Sequence, residues 1–347
     1  MDVVNFMATM VEAASRYGFR REARIHFCPM GRQFDSVTII GVGLLGASLG
    51  LALKERGLVG KIRGVGRKNS PSLATARRRG AIDMGLTDAA VAVRDSDLVI
   101  LASRLGQFPG ILEKIAAALP SGALVSDVGS TKAQVLRWAA QLLPAHVDFI
   151  GAHPMAGSEK RGPEFARADL FEDALCLICP PRAQHGASRR RIGSATRRIE
   201  ALWRAVGMKT RCLDADTHDR WVAAISHLPH ATAAALMLTA GQTPEAFTAV
   251  AGGFLDSTRI ASGDPGLWSD IFLTNPMAVN RQLEALVRRL QWLHGVIRRG
   301  DQAALENFLG EAKRVRDGLI GRQQRRYRSG AMASSTGEFG VGERAAG

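Results

Sequence analysis

Short apolar runs alternate with helical patterns through the first half of the chain. Val37–Gly41, Ile62–Val65, Leu98–Ala102, Leu124–Asp127, Phe149–Ala152 and Ala174–Cys179 are β-branched or otherwise apolar and read as strands. Between them, Gly46–Arg56, Ser72–Arg79, Gln107–Ala118 and Lys132–Gln141 carry apolar residues at helical spacing. This βα alternation predicts an α/β domain with a doubly wound parallel sheet and helices on both faces. After about Asp214 the strand signals stop. Thr217–Thr239, Pro244–Ala251, Pro276–Arg299 and Asp301–Leu319 read as helices, so an all-helical second domain is expected. The expected boundaries are an α/β domain over 36–213 and a helical domain over 214–322. Residues 1–35 read as an extension, disordered or a misannotated leader with Met30 as a possible start, and 323–347 as a disordered tail rich in Gly, Ala and Ser.

Composition narrows the class. The 347 residues are 46% hydrophobic and 22% charged, which is ordinary for a globular protein with a full core. No purely apolar run approaches the ~20 residues of a membrane span. Four cysteines are too few for a cystine scaffold, and no h-region with a cleavage site marks a secretory signal, so a cytoplasmic protein is expected. Lys plus Arg is 46 against 32 Asp plus Glu, a net charge of +14. Arg182 to Arg211 holds nine basic residues and one acid, Glu200. Only Trp203 interleaves aromatic character there. The run reads as a solvated helix face that attracts small anions, with no nucleic-acid partner. Cys176 and Cys179 sit at odd spacing in a strand and so point to opposite faces, which reads as core and not as a metal site.

The first strand runs into Gly41-Val-Gly43-Leu44-Leu45-Gly46, a G-x-G-x-x-G between strand and helix. Gly41 permits a tight turn, Gly43 lets the backbone approach a pyrophosphate, and Gly46 allows close helix–strand packing. With Leu44 and Leu45 opening the helix, free N–H groups face the phosphates. The domain is therefore read as Rossmann-type and dinucleotide-binding. At the end of the second strand stands Gly66-Arg67-Lys68-Asn69-Ser70, with no acid to accept from a ribose 2′-hydroxyl. Arg67 and Lys68 suit a 2′-phosphate, at roughly 1.5–3 kcal/mol per charge-assisted contact, so NADP is favoured over NAD. Arg67 stacked on adenine, with either coenzyme accepted, is the competing reading.

Three further segments carry polar residues that packing alone does not require. Asp127-Val-Gly129-Ser130-Thr131-Lys132 leads from a strand into a helix, and Ser130 also suits a helix cap. Gly151-Ala-His153-Pro-Met-Ala-Gly157-Ser158-Glu159-Lys160 follows another strand, and ligands of open α/β sheets sit beyond such strand ends. Ser226-His227-Leu-Pro229-His230 puts two imidazoles on one face of an apolar helix that Pro229 is expected to kink. A satisfied core pair is the alternative for those histidines. With Gly41–Leu49, Asp169-Leu170-Phe171, and Phe254–Ala261 through Asp264-Pro265, Trp268, Asp270 and Ile271, these segments resemble the prephenate dehydrogenase/arogenate dehydrogenase family of tyrosine biosynthesis. They run in the family's order over about 37–320.

The resemblance implies oxidative decarboxylation of a cyclohexadienyl substrate. Hydride leaves ring C4 for the nicotinamide, the C4 hydroxyl loses its proton, and the C1 carboxylate departs as CO2. It implies His153 as the base and Ser130 as a hydrogen-bonding partner of His153 or of the hydroxyl near the nicotinamide. Arg259 is implied as the carboxylate anchor, and His227 and His230 as contacts to substrate or cofactor. Ser158 and Glu159 match a loop closing over the substrate, and Trp268 matches a wall residue. Prephenate is favoured, giving 4-hydroxyphenylpyruvate, with arogenate or dual use as the alternative. No metal is needed. Ser103-Arg104 and Arg161 depart from the family pattern. Ser103 is placed among the cofactor contacts, and either arginine is open to a ligand or to solvent. No regulatory module follows the helices, so a stand-alone enzyme is expected. Leu283, Leu286, Val287, Leu290 and Leu293 recur at helical spacing, and a homodimer through 215–320 is expected.

Overall fold

The computed structural model describes residues 31–157, 160–182 and 189–335, with side chains as far as 321. Its centre is an eight-stranded sheet: β1 (Phe34–Ile40), β2 (Val59–Val65), β3 (Met84–Leu86), β4 (Leu98–Leu101), β5 (Leu124–Asp127), β6 (Asp148–Pro154), β7 (Leu175–Cys179) and β8 (Lys209–Cys212). The spatial order is β3-β2-β1-β4-β5-β6-β7-β8. All neighbours from β3 to β6 are parallel, with Val37 beside Leu98 and Leu101 beside Asp127. β7 runs antiparallel to β6, with Gly151 opposite Cys179, and β8 follows β7 in parallel. The all-parallel expectation thus holds for six strands and fails for two. Among the described residues, only the short 3-10 turns Pro163–Phe165 and Ala168–Phe171 lie between β6 and β7. A parallel return needs a crossover that packs across the sheet face, usually a helix.

β4 shows why the central runs are continuously apolar. It buries Leu98 and Ile100 in a core on one face of the sheet and Val99 and Leu101 in a core on the other. Helices α1 (Leu44–Glu55), α2 (Pro71–Arg78), α3 (Ala89–Ala92), α4 (Phe108–Ala116), α5 (Ala133–Leu142) and α6 (Arg189–Ala205) cover those faces. α6 is the basic run. It buries Ala195, Ile199, Leu202 and Trp203, while Arg191 pairs with Asp148 at 2.8 Å and Arg198 lies over the Phe34 ring at 4.9 Å.

After β8 come α7 (Ala215–Val222), a π turn (Ala223–His227) and α8 (Leu228–Ala240). Together they form a helical run of 26 residues whose most apolar 18-residue window has a mean hydropathy of 1.3, enough by length and composition alone to cross a bilayer. No short apolar run along the sequence shows this. A 3-10 segment (Pro244–Ala249) stands where a helix was expected, followed by α9 (Gly252–Thr258) and α10 (Pro265–Thr274). The first compact unit extends through Val279 and includes these helices with the sheet. The second unit starts at Asn280. It comprises the rest of α11 (Pro276–Arg299) and α12 (Gln302–Ser335), with Trp292 and Phe308 in ring contact at 5.4 Å. α12 continues to Ser335, so 323–335 is helix where a tail was expected. The remainder of that tail and residues 1–30 lie outside the described residues.

Candidate active site

The nucleotide end is built where the strand order reverses, between β1 and β4. Gly41 has φ +103°, and a Cβ there would meet Ala102 C and O and Ser103 N at 2.6 Å. Only glycine allows the β1 and β4 ends to approach this closely. Gly43 is the N-cap of α1; no side chain caps it and no acid lies in the first turn. A Cβ on Gly43 would point into open space, whereas one on Gly46 would strike the Gly41 carbonyl. Leu44 and Leu45 are the first two helical residues. The uncapped amides therefore suit an anion. The Ser103 Oγ is buried and has no hydrogen-bond partner among the described residues. This cradle fits a dinucleotide. Beyond β2, Arg67 and Lys68 are exposed, Asn69 adopts φ 63°, and Ser70 caps α2 through Ser72 N at 3.4 Å.

A hydrogen-bonded network lies beyond β5 and β6. Asp127 and Lys132 are both fully buried and paired. The Asp127 carboxylate also accepts from Gly129 N (2.8 Å) and Ala152 N (3.1 Å). Asp219 of α7 reaches across to α5. Its Oδ1 accepts from Lys132 N at 2.8 Å and its Oδ2 from Ala133 N at 3.0 Å. It thus caps α5 from another element, the role that Ser130 suited. Asp219 Oδ1 lies 2.8 Å from His218 Nδ1, and His218 Nε2 lies 2.9 Å from His153 Nδ1. Burial, and then the charges of His218, Lys132 and His227, push His153 well below the ordinary 6.5. Burial also lowers His218, against the pull of Asp219. Both imidazoles are therefore neutral at pH 7. His218 takes His153 Nδ1, and Ser130 is half-buried in the β5–α5 turn.

The second wall comes from the helices. The π turn falls at His227, and Pro229 stands in the first turn of α8, where its missing N–H costs little. An extra residue in the helical turn marks the place expected to kink. His230 stacks on Trp268 at 3.6 Å between centroids and 10° between planes, and His227 meets the same indole edge-on at 6.2 Å. A Cβ on Gly263 would lie 2.8 Å from His230 Cε1 and from Trp268 Cδ1, so glycine is required beneath the stack. His230 Nδ1 is buried without a partner among the described residues. Burial is the main cause that pushes His227 down to about 4. Asn275 Nδ2 donates to the Asp219 carbonyl at 2.8 Å and lies 3.4 Å from His227 Nδ1, which links this wall to the network.

Arg259 is exposed on a 3-10 turn (Arg259–Ser262) and lines a cavity of 930 Å³ with Met237, Phe247 and Phe254. It makes no ion pair among the described residues. Asp264, the first acid after it in sequence, is taken by Arg104 at 2.9 Å and by Arg161, and it caps α10 through Leu267 N at 2.6 Å. The two departures from the family pattern therefore share one aspartate. Ser158 and Glu159 lie outside the described residues. Sequence reading missed His218, Asp219 and Asn275. One signal was present: His218 shares a buried stripe with Val222, four residues on, and a histidine–aspartate pair on an apolar face needs partners.

Residues 49–198 match the family model described as prephenate dehydrogenase, nucleotide-binding domain, and residues 214–311 match prephenate dehydrogenase, dimerization domain. The prephenate dehydrogenase of Bacillus subtilis (strain 168) is 31% identical over 300 residues, covering 85% of this chain and 79% of its own. The cyclohexadienyl dehydrogenase of Zymomonas mobilis is 30% identical over 291 residues, covering 82% and 95%. Among solved structures, that of prephenate dehydrogenase from A. aeolicus in complex with hydroxyphenyl propionate and NAD+ is similar. Its TM-score is 0.73 at 33% identity, over 82% of this chain and 98% of that one. By both domains and by the lengths covered, the chain belongs to the prephenate dehydrogenase family, an oxidoreductase family with a Rossmann-type nucleotide-binding domain.

Proposed function

We propose that the protein converts prephenate to 4-hydroxyphenylpyruvate by NAD(P)-dependent oxidative decarboxylation. The observation that carries this reading is a neutral, hydrogen-bonded His153 at the C-terminal end of β6, in a sheet whose switch point forms a dinucleotide cradle. The Gly41–Gly46 cradle would hold the dinucleotide, whose nicotinamide would supply the hydride acceptor for ring C4. His153 takes the proton from the C4 hydroxyl, and Ser130 hydrogen-bonds that hydroxyl. His227, His230 and Trp268 form a wall that holds the ring and keeps water out, with His230 Nδ1 free to bond the ligand. Arg259, exposed and without an ion pair among the described residues, suits a substrate carboxylate in bidentate fashion.

Arg67 and Lys68, with no acid beside them after β2, support NADP over NAD. The A. aeolicus structure holds NAD+, so that preference belongs to this chain's own residues. The cyclohexadienyl dehydrogenase relative favours a second reading, in which arogenate is also used. Exposed Leu238, Leu273 and Met277, at 77%, 74% and 79%, support a homodimer through the helical segment, in line with the dimerization model matched there. With its partner a small molecule and no nucleic acid or membrane required, the cytoplasm is the compartment we assign. The test is steady-state kcat/KM for prephenate and arogenate, each with NAD and NADP. Turnover of prephenate, faster with NADP, is expected. Well-folded protein inactive in all four assays overturns the reading.

A further inference from the structure

We propose that His218 and Asp219 are positioning residues that lock His153 in the tautomer whose Nε2 is a free lone pair. The inference rests on His153 being the base. Asp219 cannot turn away from this task, because both of its oxygens are held by the α5 amides of Lys132 and Ala133. A carboxylate only accepts, so the proton on the 2.8 Å contact must belong to His218 Nδ1. A neutral His218 then has a lone pair at Nε2. The 2.9 Å contact to His153 Nδ1 is a hydrogen bond only if His153 Nδ1 carries the hydrogen. His153 Nε2 is left unprotonated, ready for the hydroxyl. The opposite tautomer sets two lone pairs against each other at Asp219, or requires a charged His218 where burial and the Lys132 ammonium oppose that charge.

The same pair serves the protonated state. His218 from α7, Lys132 from the β5–α5 turn and His227 from the π turn act on the His153 imidazole, Cys176 on β7 meets the His153 backbone, and Asp219 and Asp127 act on His218. Of the two carboxylates, Asp127 is matched by Lys132. Asp219 is the one hydrogen-bonded to His218, and through it linked to His153. When His153 takes the proton, its Nδ1–H still donates to His218, and His218 Nδ1–H still donates to Asp219. One proton moves, from the hydroxyl to His153 Nε2, and no other bond changes.

The test uses the full chain with His218→Leu, His218→Gln, Asp219→Asn and His153→Asn. Glutamine keeps the relay, since its amide oxygen accepts from His153 and its NH2 donates to Asp219; leucine removes it. His218→Leu is expected to lower kcat about 10²- to 10³-fold with KM and nucleotide Kd within about threefold. His218→Gln should stay within about tenfold of the parent enzyme. In the His153→Asn background, His218→Leu should add no further loss. If His218→Leu does not fold, Asp219→Asn reads the same lock: its amide oxygen stays on Lys132 N and His218 Nδ1 while the charge that favours this tautomer is gone, so a loss in kcat smaller than that of leucine is expected with KM unchanged. Equal losses from leucine and glutamine, or no kcat loss from leucine while His153→Asn is inactive, overturn the inference. If His153→Asn itself keeps its kcat, the base reading fails first.

Discussion

The surroundings of His153 and of Arg259 are built in opposite ways. At His153, Asp127, Lys132, Asp219 and His218 are joined in one buried set of hydrogen bonds that fixes charge and orientation in advance. Arg259 stands exposed beside a 930 Å³ apolar-lined cavity without an ion pair among the described residues, and the next acid, Asp264, is held by two other arginines. The contrast follows from the tasks. A base must have its protonation state set before substrate arrives, and only fixed neighbours can do that. A cation meant for an arriving carboxylate works best uncommitted, since any pair it held would have to be broken first.

Several substitutions bear on that contrast. His153→Asn should lower kcat by about 10²- to 10⁴-fold, while nucleotide binding measured by fluorescence titration stays nearly constant. Lys132→Met should act on stability instead. It strands a buried carboxylate, so urea unfolding should show a loss of about 3–5 kcal/mol. Arg259→Leu should raise KM for prephenate about 10- to 150-fold with little change in denaturation midpoint, as expected for about 1.5–3 kcal/mol of charge-assisted bonding at an exposed site. Arg67→Ala should lower the NADP/NAD ratio of kcat/KM and leave kcat with saturating coenzyme unchanged.

Acid should weaken the histidine wall. His227 is shifted down to about 4 from 6.5, so the unfolded chain binds the proton first as pH falls. Its contribution to stability is present above pH 6.5 and is lost between 6.5 and about 4, which a series of urea midpoints would show as a fall over that window.

How legible each part was in the sequence follows the same division. β4 declared itself because all four of its residues are apolar and both faces are covered. β8, Lys-Thr-Arg-Cys at the sheet edge, did not, since an edge strand gains from charge what a central strand would lose. Gly41, Gly43 and Gly46 were readable because one local turn imposes them. His218 and Asp219 were not, because their value comes from α7 meeting the start of α5, 87 positions away in the chain. The Arg104–Asp264 pair spans 160 positions and was hidden for the same reason. The reversal of β7 and β8 likewise depends on how the chain returns across the sheet, not on the strands' own residues.

The most direct measurement is the pH profile of kcat/KM for prephenate, taken with the parent enzyme and with His153→Asn. A neutral His153 held well below 6.5 predicts a rate that stays flat as pH falls through 6.5 and drops only at more acid pH, with that acid limb missing from the variant's residual activity. An acid limb at or above 6.5, or one that persists unchanged without the imidazole, would contradict the account.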